Sequence, residues 1–439
     1  MRRIPRLPAI DGELGWYETS PLTGRWTGNR LKGTQTFDVL IIGAGFTGLS
    51  IAGRLAELWP ERRIALVDAL GVGQGTSGRN AGFIIDLPHN LDANADPEVD
   101  KHIHRLNRFA ISRLDQIRQH HRIDCAWHKA GKYLAAHEPA NLRHLDSFTR
   151  TLDTLGAPYE VFEDSQLQQR LGTGYYRKAV YTPDNILINP AALAQGLALA
   201  LPDNVTLFDN SPVTGVAYGK PHRARFLGGE INATTLVLSA NSFGEEFGLF
   251  RQRLVPVFTY ASLTGPMGET QVRRGFPDVA PWGLTSAHPA GTTVRLTPDR
   301  RIFVRNSFSF DATLRARPQD LQRAWRQHRA SFTARFPDLH ELNFEYTWGG
   351  MLRMTLNHQS VFQRPADNLY ALCGMNGVGL AKGTYLGYYL AEWMAGRDSD
   401  DLDFIRRHNQ PRWVPPEPLR SLGARLRLCY EAGKAAGEV

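Results

Sequence analysis

Three glycines, Gly43, Gly45 and Gly48, stand at the spacing G-x-G-x-x-G between an apolar run that predicts a buried strand and a segment with helical periodicity. The order strand, glycine turn, helix directs unpaired backbone N–H groups and the positive end of a helix dipole at one point. A pyrophosphate fits such a point, because glycines leave its approach free of side chains. This stretch therefore predicts the binding of a dinucleotide.

An acidic residue, Asp68, follows the next predicted strand, 20 positions after Gly48. In a parallel sheet this position lies at the tip of the strand beside the first one, where a carboxylate accepts hydrogen bonds from a ribose. Strand, turn, helix, strand and acid all fall in register. The pattern is therefore typical of a dinucleotide-binding unit.

Two further glycine-rich loops follow, at 70–84 and within 369–396. The first carries hydroxyl, guanidinium and amide donors, and the second again has the order strand, glycine loop, helix. A second helix N-terminus can face the N1–C2=O edge of a flavin, where its N–H dipoles stabilise the charge that develops on reduction. Because a nicotinamide enzyme has no comparable use for the distant loop, the three glycine sites together favour FAD over NAD.

The remaining elements must position these loops. Amphipathic helices are predicted from about Leu91 to Leu171, with one strand-like piece at GKYLAAHE. A helix begins after Asn189 as N-cap, with Pro190 in its first turn. The region from Pro256 to about 344 is predicted to contain alternating strands. A helix through 321–336 is predicted near the end of this region.

Composition excludes several classes of protein. The chain has 439 residues, a formal net charge of +8, 42% hydrophobic and 21% charged residues, which is typical of a globular protein. Its basic residues are scattered, so we predict no nucleic-acid partner. The three cysteines have no metal-type spacing, which predicts no metal site and suits a reducing compartment. No signal peptide or membrane span is predicted, and we expect a cytoplasmic protein.

The motifs resemble those of a known family. DVLIIGAGFTGLS, VGQGTSGRNAGF, NPAALAQGLA, NSPVTGV, LVLSANSFG, RLTPDRRIF, WGGMLRMT and LYALCGMNGVGLAKGTYLG occur in the order typical of FAD-dependent D-amino-acid oxidase-like oxidoreductases. Among these the chain looks most like the branch of glycine oxidase, sarcosine oxidase and gamma-glutamylputrescine oxidoreductase. The resemblance extends over about 36–396 and is specific for the family but not for the substrate.

The resemblance implies an α/β fold with a Rossmann-type FAD-binding domain and an inserted α+β substrate domain built on a mainly antiparallel sheet. We expect an N-terminal extension at 1–35, the FAD-binding domain at 36–95, 180–255 and 345–410, the substrate domain at 96–179 and 256–344, and a tail at 411–439. It also implies oxidation of a C–N bond by hydride transfer to flavin N5, with hydrolysis of the imine product. We expect a small-molecule amine or amino acid as the substrate, with O2 or a carrier as the electron acceptor.

The resemblance implies cofactor contacts residue by residue. The pyrophosphate is expected at Gly43, Gly45, Phe46, Thr47 and Gly48, the ribose at Asp68, and the adenine at the backbone of Val213. The flavin side is expected at Thr76, Ser77, Arg79, Asn80, Ala81 and Gly82, and its C2=O edge at Asn376, Gly377, Val378, Gly379, Leu380 and Ala381. Gly350 stands where covalent members of the family carry a cysteine, so the FAD is expected to be non-covalent.

Three residues are candidates for substrate binding. Arg353 stands where glycine oxidase-like members hold the substrate carboxylate, with a flavin-edge or surface arginine as the alternative. Arg305 stands where many relatives have a glycine, and Tyr260 is a candidate for the pocket wall. Residues 356–360 depart from the family's proline-rich pattern, which changes the polarity near the pocket and leaves the amine unidentified. No catalytic side chain is assigned, since hydride transfer from a neutral amine needs no general base.

Alternatives to an oxidase stay open. One is a dehydrogenase that passes electrons to a quinone or carrier at the membrane, and another is a flavin-binding protein without this catalysis. The tail bears on the first of these, because a helix beginning near Leu419 puts Leu422, Leu426, Cys429 and Tyr430 on one side. This stripe is expected to dock on the protein's own body, and the alternative is weak peripheral contact with an anionic membrane.

Overall fold

The computed structural model describes residues 1–26, 28–88, 96–276, 278–435 and 437–439, so the predicted start of the first amphipathic helix, near Leu91, lies outside the described residues. In chain order the described strands are β1 (Arg2–Arg3), β2 (Gly33–Ile42), β3 (Ile64–Val67), β4 (Phe83–Ile84), β5 (Lys132–Ala136), β6 (Glu160–Glu163), β7 (Lys178–Thr182), β8 (Ile186–Leu187), β9 (Val205–Phe208), β10 (Val213–Ala217), β11 (His222–Phe226), β12 (Gly229–Leu238), β13 (Val255–Thr264), β14 (Trp282–Ser286), β15 (Thr293–Leu296), β16 (Ile302–Ser309), β17 (Phe344–Met354), β18 (Val361–Ala366) and β19 (Leu369–Cys373).

The described helices alternate with these strands. They are α1 (Gly15–Glu18), α2 (Phe46–Leu58), α3 (Thr76–Arg79), α4 (Pro97–His120), α5 (Leu142–Leu155), α6 (Asp164–Leu171), α7 (Pro190–Leu199), α8 (Glu269–Gly275), α9 (Pro318–Arg335), α10 (Gly379–Met394), α11 (Asp400–His408) and α12 (Leu419–Lys434). The Asn189 side chain caps α7 as predicted, because its oxygen accepts hydrogen bonds from the N–H groups of Ala191 and Ala192.

The first sheet has nine strands in the order β1-β10-β11-β12-β2-β3-β9, with β19 also beside β12 and β18 beside β19. Its centre is parallel: β2 pairs with β3 and β12, β3 with β9, and β12 with β19. Val39, Leu40 and Ile41 on β2 have no exposed surface. A strand buried on both faces is typical of such a parallel sheet, which confirms the α/β fold class.

Different elements cover the two faces of this sheet. Side chains of α2, α4, α7 and α10 pack in one hydrophobic cluster with Val39 and Ile41. Leu40 and Ile42, which point the other way, pack with side chains of β10, β11 and β12. The alternation follows from the two-residue period of a strand, and it places α2 and α10 on the same side of the sheet.

The second sheet has eight strands in the order β17-β13-β16-β15-β14-β5-β7-β6. All neighbours are antiparallel except β14 and β5, so the mainly antiparallel sheet of the prediction is confirmed. Helix α9 packs on β13 and β16, where the buried His328 Nδ1 lies 2.7 Å from Ser262 Oγ.

Two segments differ from the expected division of the chain. Strand β17 was assigned with 345–410 to the FAD-binding domain, but it pairs along its length with β13 of the second sheet. Residues 1–35 were assigned to an extension, but β1 pairs with β10 in the first sheet and Gly12 forms a bridge with Trp348 of β17. The reason is the same for both segments: their pairing partners lie 80 or more residues away along the chain. The other domain boundaries stay a prediction.

The tail forms the predicted helix, but its apolar stripe does not dock. Helix α12 begins at Leu419 as expected. The exposed fractions of Leu422, Leu426 and Tyr430 are 57%, 63% and 54%, and Cys429 is exposed as well. Polar contacts on the opposite side attach the helix, which therefore turns its leucines to solvent. Arg420 Nη1 lies 3.2 Å from Glu245 Oε2, and His288 Nε2 lies 3.7 Å from Glu431 Oε2.

Candidate functional site

The first glycine turn, between β2 and α2, needs glycine at all three positions for steric reasons, and a Cβ on Gly48 would clash with the Gly43 carbonyl oxygen. Gly43 has a φ of +110°, and a Cβ there would approach the carbonyl oxygen of Ser239 to 2.7 Å. A Cβ on Gly45 would approach Ser77 Oγ to 2.6 Å, and this Oγ accepts a hydrogen bond from the Phe46 N–H. The space in front of the N-terminus of α2 therefore stays open for an anion.

Asp68 lies at the tip of β3, beside the end of β2, as predicted. Its Oδ2 accepts a hydrogen bond from the Ala44 N–H at 2.8 Å, and its Oδ1 accepts one from the Leu70 N–H at 2.9 Å. Burial raises the pKa of this carboxyl group, and the nearby Asp209 adds to the effect. Each carboxylate oxygen keeps a further lone pair with which it can accept a hydroxyl.

The second glycine-rich loop is held by side chains from three distant elements. Trp348 Nε1 donates a hydrogen bond to the Arg79 carbonyl at 3.1 Å, and Trp16 Nε1 donates one to the Asn80 carbonyl at 2.9 Å. Arg295 Nη1 donates one to the Ala81 carbonyl. None of these donors was predicted from the sequence. An indole carries no positional signal of its own, and the three donors are 64 to 269 residues away from their acceptors along the chain.

Arg79, on this loop, has most of its donors in use and one left over. Its Nε donates to the Gln74 carbonyl at 2.7 Å, and Nη1 donates to the carbonyls of Asp11 and Gly349 at 3.0 and 2.9 Å. Nη2 is buried and has no hydrogen-bond partner among the described residues. Burial lowers the pKa of Arg79 to about 10, so the group is a cation at neutral pH with one N–H pair free for a ligand.

The third glycine loop leads into α10, whose N-terminus lies beside that of α2. Asn376 and Gly377 have φ values of +57° and +82°, and Asn376 Oδ1 accepts a hydrogen bond from the Thr355 N–H at 2.7 Å. A Cβ on Gly383 would approach Thr47 Oγ1 to 2.8 Å, so this glycine lets the two helices touch. The predicted pair of neighbouring helix N-termini is therefore present.

All three loops line one cavity, which we call the first cavity. The predicted cofactor residues that line it are Gly43, Gly45, Phe46, Thr47, Asp68, Thr76, Ser77, Arg79, Asn80, Val213, Gly377 and Gly379. Its donor set fits a dinucleotide: helix N-termini for a pyrophosphate, the free N–H groups of Arg79 for an anionic or carbonyl oxygen, and Asp68 for a hydroxyl.

A second cavity of about 150 Å³ adjoins the first and shares Asn80, Gly377 and Gly379 with it. It has room for roughly ten water molecules or a small organic acid. Four other predicted cofactor residues line it: Ala81, Val378, Leu380 and Ala381. Gly48, Gly82 and Asn376 line neither cavity.

Arg305 extends from β16 into the second cavity, as expected of a substrate residue. Its guanidinium group makes no hydrogen bond or ion pair with a described residue, and its Cζ lies 5.5 Å from the centroid of the Phe308 ring. Burial lowers the pKa of Arg305 to about 10. A partly buried cation without a counter-ion in the protein is typical of a ligand site.

Arg353 does not reach either cavity, and the expectation that it binds a substrate carboxylate is wrong for this structure. The side chain is 2% exposed, and its Nε donates to the Ser242 carbonyl at 2.7 Å. Its Nη1 lies 3.1 Å from Glu245 Oε2. Because β17 belongs to the second sheet, Arg353 points towards this buried carboxylate and its donors are already occupied.

Tyr260 is also removed from the cavities. It lies on β13, is 2% exposed, and its hydroxyl lies 2.8 Å from Ser309 Oγ. Its ring packs in a small cluster with Phe258, Leu314 and Met351. The expectation that it forms the pocket wall is therefore wrong. By contrast, Asn357, His358 and Gln359, in the segment that departs from the family pattern, line the second cavity.

No cysteine is found among the described residues that line the first cavity. Cys373 lies on β19 with no exposed surface, and burial raises the pKa of its thiol. Gly350 faces the loop that contains Arg79, whose Cβ would lie 3.5 Å from a Cβ on the glycine. The described residues contain no cluster of three or more His, Cys, Asp or Glu side chains that could hold a metal ion. Within the same part of the chain, every helix is too short or too polar to cross a bilayer.

Comparisons with known proteins agree with this geometry. The model of the family described as FAD dependent oxidoreductase (DAO) matches residues 38–393. The gamma-glutamylputrescine oxidoreductase of Escherichia coli is 24% identical over 414 residues, which cover 92% of this chain and 93% of that protein.

Solved structures of low sequence identity share the fold. Glycine oxidase from Geobacillus kaustophilus matches with a TM-score of 0.68 at 16% identity, over 83% of this chain and 96% of its own. Iminodiacetate oxidase from Chelativorans sp. BNC1 matches with a TM-score of 0.66 at 18% identity, over 82% of this chain and 96% of its own.

Proposed function

Because the chain belongs to the DAO family of FAD-dependent oxidoreductases, we propose that it oxidises the C–N bond of an amino acid whose carboxylate is bound by Arg305. The unpaired guanidinium group of Arg305, in a cavity that adjoins the first, is the observation that carries this proposal. A carboxylate supplies the counter-ion that is missing among the described residues, and the planar guanidinium group can bind it through two parallel hydrogen bonds.

FAD is the cofactor of this family, and the first cavity supports a non-covalent site. The N-terminus of α2 would hold the pyrophosphate, Asp68 the ribose, and the free N–H groups of Arg79 an oxygen at the flavin end. When bound, FAD supplies a two-electron acceptor at N5. The absence of a thiol at Gly350 and the burial of Cys373 support the non-covalent assignment.

The chain's own residues have two tasks in this reaction. Arg305 fixes the substrate by its carboxylate, so that the carbon next to nitrogen faces the wall that the two cavities share. Apolar side chains of the second cavity, among them Phe83, Ile85 and Leu380, exclude water from that carbon. The substrate loses a hydride and a proton and becomes an imine, which water then hydrolyses to a carbonyl compound and an amine.

Anaerobic mixing with amino acids, N-methyl amino acids and polyamine derivatives tests the proposal. We expect at least one amino acid to bleach the flavin absorbance, and Arg305→Met to slow this reduction while the FAD content stays normal. Arg223→Met, at an exposed position on β11, serves as the matched control. If no compound of the panel bleaches the flavin, the alternative of a flavin-binding protein without this catalysis is supported instead.

The tail favours a second candidate for the electron acceptor, a quinone or carrier at an anionic membrane. Leu419, Leu422, Leu426 and Tyr430 are each more than half exposed. The helix that carries them has four basic side chains, Arg420, Arg425, Arg427 and Lys434, and one acidic side chain, Glu431. Arg420 pairs with Glu245, and Arg427 pairs with Glu431. An amphipathic helix with basic flanks is attracted to anionic lipid.

Two measurements separate the acceptors. Hydrogen peroxide formed during turnover identifies an oxidase, whereas reduction of a dye without peroxide identifies a dehydrogenase. For the membrane contact, co-sedimentation with anionic vesicles at low salt should be lost in the double variant Leu422→Asp, Leu426→Asp. Leu227→Asp, at a position 84% exposed in the first sheet's hairpin, is the control. If the unmodified chain stays in the supernatant, the membrane contact is wrong.

A further inference from the structure

We propose that the second cavity selects a substrate with two anionic groups, an amino dicarboxylate or a close analogue, with one group at Arg305 and the other at Lys382. This inference rests on the proposed function and adds the substrate class. The reaction stays the same: the carbon of the C–N bond loses a hydride and the nitrogen loses a proton. The two cations, and the absence of any acid among the described residues that line the cavity, carry it.

The lining of the second cavity is basic. Its titratable nitrogen groups are those of Arg305, His358, Lys382 and His408, and no Asp or Glu lines it among the described residues. Burying cations without counter-ions destabilises a protein unless a ligand supplies the opposite charge. The arrangement fits an anionic ligand and repels one that carries a second ammonium group, such as a polyamine.

Lys382 lies in the first turn of α10, where a cation opposes the helix dipole. Its Nζ donates one hydrogen bond, to the His358 carbonyl at 3.0 Å, and makes no ion pair with a described residue. An ammonium group has three N–H donors, so donors remain for a ligand. Burial lowers the pKa of Lys382 to about 8, which still leaves it mostly protonated at neutral pH.

The two cations reach the cavity from different layers of the molecule. Arg305 belongs to β16 of the second sheet, and Lys382 to a helix that packs on the first sheet. Both line the same cavity, so one small molecule can contact both. A carboxylate at Arg305 then leaves a second acidic group to pair with Lys382.

His358 adds a second observation at the same place. Its backbone has a φ of +55°, and its Nδ1 is buried with no hydrogen-bond partner among the described residues. Burial, and then the neighbouring Lys382, lower the pKa of this imidazole. An orphaned ring nitrogen beside an ammonium group with free donors indicates a polar ligand group that the protein alone does not provide.

Binding of acids that cannot be oxidised tests the inference separately from catalysis. Glutarate and butyrate, which differ in one carboxylate, are titrated into the holoenzyme while the flavin absorbance and the heat of binding are measured. We expect glutarate to bind about tenfold or more tightly than butyrate, and Lys382→Met to remove this advantage while leaving butyrate within about twofold. Lys129→Met, at an exposed position, is the control and should change neither affinity.

Four outcomes would overturn the inference. The inference is wrong if the unmodified enzyme binds the two acids with equal affinity. It is also wrong if Lys382→Met weakens the binding of both acids by the same factor. A Lys382→Met enzyme that binds both acids normally but has a shifted flavin reduction potential would assign the ammonium group to the cofactor instead. Bleaching by amino monocarboxylates but not by amino dicarboxylates would reject the inference while the proposed function stands. Absence of bleaching by either class would count against the proposed function itself.

Discussion

Two arginines, the partly buried Arg305 in the second cavity and the buried Arg353 outside both cavities, differ in the partners that their charge has. Arg353 is neutralised by Glu245 and hydrogen-bonded to backbone carbonyls, so removing it leaves a buried carboxylate without one of its cations. Among the described residues Arg305 has no such partner, so removing it takes away a charge that they leave unpaired. The first arginine therefore serves stability, and the second is available to a ligand.

The contrast predicts opposite effects of the same substitution. Arg353→Met should lower the free energy of unfolding by about 3–5 kcal/mol, the usual loss when one partner of a buried ion pair is removed. Arg305→Met should leave stability unchanged or higher and lower kcat/KM for amino acids by roughly thirtyfold, since a charged hydrogen bond contributes about 2 kcal/mol. Urea unfolding and steady-state kinetics on both variants check this. A stable Arg353→Met with a raised KM would reverse the assignment.

Asp68 provides the prediction for the cofactor. Asp68→Ala should weaken FAD binding by about 1–3 kcal/mol, because the ribose loses a charged hydrogen-bond acceptor and the Ala44 N–H also loses its acceptor. The FAD content after dialysis measures the effect, and acid precipitation should release intact FAD from the unmodified protein. Full retention of FAD in Asp68→Ala would show that the carboxylate does not contact the ribose, and flavin that stays with the precipitate would show a covalent bond.

Sequence spacing located Asp68 but not the role of Arg353. Asp68 follows from local order, because strand, turn, helix and strand fix where the next strand tip lies. The direction of Arg353 depends on Glu245, which is 108 positions away and comes into contact only when β17 joins the second sheet. Likewise, the sequence showed that Asn357, His358 and Gln359 depart from the family pattern. It did not show that Arg305 would lack an acidic neighbour among the described residues that line the second cavity.

Among the elements, the second glycine loop is the one whose shape depends most on distant side chains. Its carbonyls at 79–81 are held by Trp348 from β17, Trp16 from α1 and Arg295 from β15. The rings of Trp16 and Trp348 also pack together, with centroids 6.3 Å apart. The loop is therefore held open towards the first cavity by the second sheet and the N-terminal segment, not by its own glycines alone.

Trp16→Phe tests this support. The substitution keeps an aromatic ring beside Phe303, whose centroid is 5.3 Å from that of Trp16, but leaves the Asn80 carbonyl without its donor. We expect a loss of about 1–3 kcal/mol in the free energy of unfolding and weaker retention of FAD. Thermal unfolding with and without added FAD measures both. Trp413→Phe, on a residue 53% exposed, is the control. Unchanged FAD retention in Trp16→Phe would contradict the proposed support.

Helix α12 shows how far periodicity reaches. Its start at Leu419 and its apolar stripe follow from the sequence, since Pro415, Pro416 and Pro418 end the preceding segment and the leucines recur at helical spacing. Which side faces the protein does not follow, because polar contacts to Glu245 and His288 decide it. The stripe consequently remains on the surface.

The two sheets of the molecule meet at the first cavity, which is lined by Ile42 and Val67 of the first sheet and by Gly349 and Met351 of the second. The nucleotide-binding half was predictable because its pattern is local and repeated at three glycine loops. The course of the termini was not: Arg2 and Arg3 join the first sheet, while the Glu438 carbonyl accepts a hydrogen bond from Arg335 Nη2 at 3.0 Å. Pairing between segments hundreds of residues apart leaves no trace in spacing or periodicity.

An amino acid bound through its carboxylate at Arg305 should reduce the flavin. Stopped-flow reduction of the holoenzyme without oxygen, with the best amino acid of the panel and with the same compound lacking its carboxylate, tests it most directly. We predict rapid bleaching by the amino acid, at least tenfold slower bleaching by the decarboxylated amine, and loss of this difference in Arg305→Met. Equal rates for the two compounds in the unmodified enzyme, or an undiminished preference in Arg305→Met, would contradict the claim.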